Sequence, residues 1–220
     1  MTDAHCHLPG DAARHFVCSP ACVAGPSHAP ELRVFYGVHP WEAGSFDETR
    51  ALALRHALAA DPWGGVGEIG LDRLRTRTIP DAMREAFRAQ LEIAADFSRP
   101  VTLHGAKCWG EVVAACRPFA GRVPAFVFHG FSRSFGLLKD IIALNGFISV
   151  GPAILNAHAV NYREDVRRIP EDRLLVETDR TADTAARVPP LADIVAALAA
   201  LRGVPADVLD ARLDANASRV

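Results

Sequence analysis

Short apolar runs alternate along this chain with longer stretches whose apolar positions recur every three or four residues. The short runs show no helical period and favour β-branched and aromatic side chains, so they predict strands. They cover residues 3–7, 15–18, 34–38, 64–72, 99–105, 125–130, 147–150 and 174–179, with 15–18 the weakest. The longer stretches predict helices over 46–61, 80–97, 109–119, 134–144, 161–168, 191–202 and 205–217. Asp47 stands where it can cap the first of these, which carries Leu52, Leu54 and Leu58. Pro80 opens the second, and Met83, Phe87, Leu91 and Ala94 share one of its faces. Eight strands, nearly all followed by helices, predict a parallel sheet closed into a TIM-type (β/α)8 barrel. An open doubly wound sheet is the alternative, but no Gly-x-Gly-x-x-Gly turn opens a helix here. Between 9 and 33 the chain is too short of helical pattern for full units, so the first βα units are abbreviated.

Composition narrows the class. The 220 residues fit one domain over 1–220, and a hydrophobic share of 50% supports a large core. A formal charge of -2 offers no general basic field for nucleic acid, so anion binding must be local. No apolar run approaches the ~18 residues of a membrane span. The polar opening residues do not resemble a signal peptide. Five cysteines without paired Cys-x-x-Cys spacing read as reduced thiols in a cytoplasmic protein, although Cys18 and Cys22 are also candidate metal ligands.

The chemistry lies in where the polar residues fall. On a strand, His5 and His7 point one way and Cys6 the other, toward the helices, so two imidazoles beside Asp3 can grip one divalent cation. Glu68, His104, His129 and Asp179 stand at or near the carboxyl ends of four further strands. In a barrel that is the rim on which all strands converge. Carboxylates inside apolar strands cost roughly several kcal/mol unless paired or metal-bound. Six ligands exceed the needs of one four-coordinate ion, so two divalent ions sharing a carboxylate are expected. His5, His7, Glu68 and Asp179 are assigned to one, and Glu68, His104 and His129 to the other. Such a donor set permits Zn, Mn, Fe, Ni or Mg.

These motifs resemble the TatD family of metal-dependent deoxyribonucleases, within the wider metal-dependent hydrolase barrels. The matching pieces are DAHCH (3–7), YGVHPW (36–41), GVGEIGLD (65–72), PVTLHG (100–105), FHGFS (128–132), ISVG (148–151) and LLVETD (174–179). They occur in the family's order over nearly the whole chain. The resemblance implies a TIM barrel that hydrolyses DNA phosphodiesters, often from the 3′ end. It matches the six residues above to metal ligands and His39 to a rim histidine facing substrate. Ala106 and Lys107 stand where the family usually has an arginine, and Arg133 where it has glycine. No proline follows soon after Asp179, and Arg187-Val188-Pro189-Pro190 only partly matches a later motif.

The expected activity is hydrolysis of DNA or a smaller phosphodiester by metal-activated water, with Glu68 and Asp179 catalytic. Lys107, Arg133, Arg180 and Arg187 are candidates for compensating phosphate charge, or solvated surface cations. Asp72 either orients a ligand histidine or caps the following loop. Trp41 and Trp109 either stack on bases or belong to the core. His15, His28, His56 and His158 fall outside the strand-end pattern and read as surface. No obligate protein partner is evident. Two rival functions use the same barrel: a C–N bond hydrolase of the amidohydrolase type, and a metal-binding barrel without catalysis. The first often bridges its ions with a carboxylated lysine, and no lysine ends a strand here.

Overall fold

The structure, a computed structural model, describes residues 1–20, 31–75, 77–132 and 134–220. Cys22, His28 and Arg133 lie outside the described residues. Eight parallel strands follow one another round the sheet in chain order. They are β1 (Thr2–Cys6), β2 (Arg14–Pro20), β3 (Leu32–Gly37), β4 (Gly65–Asp72), β5 (Val101–Ala106), β6 (Phe126–Phe128), β7 (Gly146–Val150) and β8 (Leu174–Val176). The helices are α1 (Glu48–Ala60), α2 (Asp81–Asp96), α3 (Trp109–Cys116), α4 (Leu138–Ala143), α5 (Val160–Arg167), α6 (Leu191–Arg202) and α7 (Ala206–Ala217). From β3 onward each strand is followed by at least one helix, whereas β1 passes to β2 through bends alone. The abbreviated start expected from the sequence is thus visible in the β1–β2 connection.

Side-chain alternation sorts the core into two layers. Val34, Tyr36, Phe126, Phe128, Ile148, Val150, Leu174 and Val176 pack outward with the helices. Phe16, Cys18, Phe35, Val127, Phe147 and Leu175 form a second cluster that fills the barrel. Asp47 caps α1 as expected, accepting from the Arg50 amide at 2.9 Å. Leu54 and Leu58, four apart, are buried, but Leu52 faces solvent at 52% exposure because it lies roughly half a turn from them. On α2, Met83, Phe87, Leu91 and Ala94 are all buried.

β6 and β8 stop short of the predicted 130 and 179. Gly130 has φ +56° and Asp179 φ +50°, left-handed conformations that no ladder accepts. The chain therefore leaves the sheet where it presents His129, Glu177 and Asp179. β8 and β1 meet at a seam closed by single contacts. The Asp179 amide donates to the His5 carbonyl at 3.0 Å. The Asp3 carboxylate accepts from the Thr178 amide (3.0 Å) and hydroxyl (2.6 Å).

Candidate metal centre

Register sets the ligand positions. Gly70 pairs with His104, and Leu103 with Phe128, so His104 and His129 stand at neighbouring strand ends. Gly70 has φ +151°, and a Cβ there would lie 2.0 Å from the His104 carbonyl oxygen, so only glycine allows β4 this close. β1 carries a register shift between Asp3 and Cys6, yet His5 on it and His7 just past its end reach the same carboxylate.

That carboxylate is Glu68, buried at the centre of the rim. Its Oε2 lies 3.5 Å from His5 Nε2 and 3.3 Å from His7 Nε2. Its Oε1 lies 2.6 Å from His104 Nδ1 and 2.7 Å from His129 Nε2. Asp179 Oδ1 stands 3.5 Å from His5 Nε2 and 4.0 Å from His7 Nε2. Among the described residues, three sets place their ligand atoms within 4.8 Å of one another: His5, His129 and Asp179; His5, His7 and Glu68; and His39, Glu68 and His104. His129 therefore borders both halves of the site, with its ring stacked on His5 at 4.0 Å. The donors fit a divalent cation. His5 Nε2 is buried without a hydrogen-bond partner while two carboxylate oxygens flank it, a deficit that a cation satisfies.

The far sides of the His104 and His5 rings are also held, and that of His129 faces a carboxylate. His104 Nε2 donates to Asp72 Oδ2 at 3.2 Å, the carboxylate–histidine arrangement that turns Nδ1 inward as the ligand atom. Asp72 performs both tasks the sequence left open, since its Oδ1 also caps the loop at the Leu74 and Arg75 amides. His5 Nδ1 meets the Cys18 sulfur at 3.4 Å. His129 Nδ1 faces Glu177 Oε1 at 3.7 Å, and that oxygen accepts from the Gly130 amide at 2.7 Å. His39 differs from the rest. Its Nδ1 accepts from the Trp41 amide at 3.1 Å, so the neutral ring carries its proton on Nε2, 3.6 Å from Glu68 Oε1. That makes His39 a donor toward the cleft.

Electrostatics follow from this packing. Burial opposes protonation of His5, but the Cys18 sulfur and the Asp179 and Glu68 carboxylates outweigh it and hold the ring well above its ordinary pKa. Burial and His5 likewise oppose protonated His129, yet Glu68 and Glu177 raise it to about 9. Burial would also neutralise Glu68, but the His129, His104 and His39 rings keep it well below the carboxylate range. Protonated imidazoles around ionised carboxylates occupy the positions where a cation would displace those protons.

A cleft of about 420 Å³ opens over this cluster, walled by His7, His39, Trp41, His104, Asp179 and Thr181 among others. Lys107, Arg180 and Arg187 are not among its lining residues. Lys107 and Arg187 are exposed, Arg187 bonding to the Asp183 carbonyl, and the Arg180 guanidinium lies against Gly10. Trp109 is core, packed against Gly105, Phe128 and Phe131. His56 and His158 are exposed, but His15 is buried and accepts from the Gly10 amide at 3.0 Å. Asp3 turns to the seam rather than to the site. Glu177 and Cys18 were missed as ring-orienting groups. The one signal for Glu177 is its place as a second carboxylate beside Asp179 just after an apolar run.

The TatD related DNase family model matches residues 20–220. A Pectobacterium carotovorum protein named 3′-5′ ssDNA/RNA exonuclease TatD is 33% identical over 196 residues, covering 84% of this chain and 75% of its own. One of the same name from Dickeya dadantii is 31% identical over 212 residues, covering 91% and 80%. The chain belongs to the TatD-related DNase family. It is accordingly a metal-dependent hydrolase of the DNase type. The crystal structure of YJJV, a TatD homologue from Escherichia coli, shares the fold at a TM-score of 0.82 with 23% identity, over 99% of this chain and 96% of that one. The family match begins after β1, so His5 and His7 enter the TatD site on geometry, through their contacts with Glu68.

Proposed function

We propose that this protein is a divalent-metal-dependent phosphodiesterase that removes nucleotides from the 3′ end of single-stranded nucleic acid, taking DNA or a smaller phosphodiester as substrate. The observation that carries this reading is Glu68, whose two oxygens each face a pair of histidines at the carboxyl rim. The names of the curated relatives support the substrate class and the direction.

His5, His7, Glu68 and Asp179 would hold one ion, and Glu68, His104 and His129 a second, with Glu68 shared. Divalent ions bound there supply a water of lowered pKa and charge compensation on the phosphate. The chain's own residues do the rest. Asp72 fixes the His104 ring from behind by a hydrogen bond, and the Glu177 carboxylate stands behind His129 as an opposite charge. Asp179, with its side chain 51% exposed, presents an oxygen to the cleft that can orient the water and accept its proton. Its left-handed backbone aims that carboxylate inward from the seam, a strained conformation retained at a functional position. His39 offers its Nε2 proton to a phosphate oxygen or the leaving group. With Lys107, Arg180 and Arg187 off the cleft wall, the ligand cluster and His39 are the described residues placed to meet phosphate charge.

Among the described residues no helix is long and apolar enough to cross a membrane. Cys6, Cys18, Cys108 and Cys116 are buried free thiols, which supports a reducing, cytoplasmic setting. The rival amide-hydrolase reading gains no support, because Lys107 is exposed and absent from the cleft wall. Metal-loaded protein incubated with 5′-labelled single-stranded DNA or RNA should yield a ladder shortening from the 3′ end, and His129→Ala should abolish it. Turnover of cyclic amides without any phosphodiester cleavage would overturn the proposal.

A further inference from the structure

One large aromatic on the cleft wall has no part in holding ions or moving protons. Trp41 lies in the 3₁₀ turn Pro40–Ser45 and leaves 57% of its surface in solvent. Exposed tryptophans are costly and usually loosely held, but this one is fixed on three sides. Its indole Nε1 donates to Asp72 Oδ2 at 2.7 Å. Its ring meets His39 edge to face at 4.7 Å, and the Arg75 guanidinium lies over one face of it, 4.8 Å from the centroid, so a base would stack on the opposite face. A rigid, half-bare indole beside a hydrolytic centre is a platform for a flat apolar group.

We infer that Trp41 is the stacking platform for a nucleobase adjoining the scissile phosphate, and so helps determine preference for single strands. The inference rests on the nuclease reading above. The cleft's 420 Å³ suits a nucleotide-sized group. Its ligand cluster begins one residue contact from the indole, since His39 touches both Trp41 and the Glu68 neighbourhood. Stacking needs a base with a free face, which a paired and stacked duplex does not offer, and it tolerates any sequence because every base has such a face. Asp72 Oδ2 binds both the indole and His104 Nε2, so one carboxylate sets the distance from platform to ligand ring.

The test uses fluorescence and kinetics in a Trp63→Phe background. Trp63 stands just before β4, at the end of the barrel away from the rim, and Trp109 is buried, so Trp41 dominates the response. A single-stranded oligonucleotide with phosphorothioate linkages at its 3′ end should quench Trp41, whereas the same oligonucleotide with an abasic 3′ end should not. On cleavable strands, Trp41→Ala should raise KM about tenfold with a smaller change in kcat, and Trp41→Phe, which keeps a ring but drops the Asp72 bond, should recover most of the loss. Removing the base and removing the indole should not add, because each abolishes the same contact. Equal quenching by intact and abasic strands, additive losses, or a fall confined to kcat would overturn the inference. Cleavage without quenching refutes stacking alone, while base-dependent quenching without cleavage refutes the nuclease reading and leaves the platform standing.

Discussion

Replacing Cys18 with alanine tests how the centre is held together. Cys18 is buried inside the barrel, and burial raises its pKa. Its sulfur lies 3.4 Å from His5 Nδ1, and with Nε2 facing Glu68 and Asp179 as the ligand atom the proton belongs on Nδ1, where the sulfur accepts it. Alanine strands a buried N–H, at about 1–3 kcal/mol, and leaves a small cavity worth about 1 kcal/mol more. For a chain of this length a total of about 2–4 kcal/mol lowers Tm by roughly 5–15 °C. Loss of the partner that fixes the ring should also weaken metal binding about 10- to 100-fold. Serine supplies a better acceptor at nearly the same place, so Cys18→Ser should recover most of the affinity even where packing leaves it less stable. Competition titration with a chromophoric chelator measures affinity, and thermal melts of the metal-free protein measure stability separately. If Cys18→Ala melts lower yet binds metal within about twofold of wild type, the thiol merely packs and the orienting argument fails.

Glu68→Gln keeps the shape of the side chain and removes its charge; it should cut bound metal below one equivalent by elemental analysis and lower kcat/KM at least about a hundredfold. Unchanged metal content would refute its bridging position. His15 provides a pH prediction outside the site. Burial, with Arg180 nearby, lowers its folded pKa below the ordinary 6.5, so the unfolded chain binds more protons and stability falls as pH drops through 6.5. His15→Gln, which can still accept from the Gly10 amide, should flatten Tm between pH 7 and 5, and an unchanged slope would count against this account. Gly70→Ala should destabilise by about 3 kcal/mol or more in urea melts, since its Cβ would meet the His104 carbonyl; a variant as stable as wild type would show that β4 and β5 separate without penalty.

Much of this site was legible because parallel βα units deliver every strand end to one rim. His104 and His129 needed only their place at or near the end of an apolar run, and Glu68 its place as a carboxylate inside one. Residues that act from beside or behind the ligands gave weaker signals. Cys18 lies in the least distinct strand, and its partnership with His5 depends on the pairing of β1 with β2 across a register shift. His15 shows the same limit, since nothing in its neighbourhood marks it as the acceptor for the Gly10 amide. Lys107 was a reasonable phosphate contact by position, but its left-handed backbone follows the strand and its side chain ends in solvent. Loop direction has no period from which to read it. Trp109 illustrates the converse, an aromatic beside a rim loop that Gly105 leaves room to bury.

The seam between β8 and β1 bears on how the enzyme is made. Asp3 finds Thr178 across 175 residues of sequence, and His5 finds Asp179 at the same join. A ribosome must therefore pass Asp179 before the first two histidines meet that partner. A nascent or prematurely ended polypeptide holds incomplete donor sets, so nuclease activity is withheld until the barrel can close.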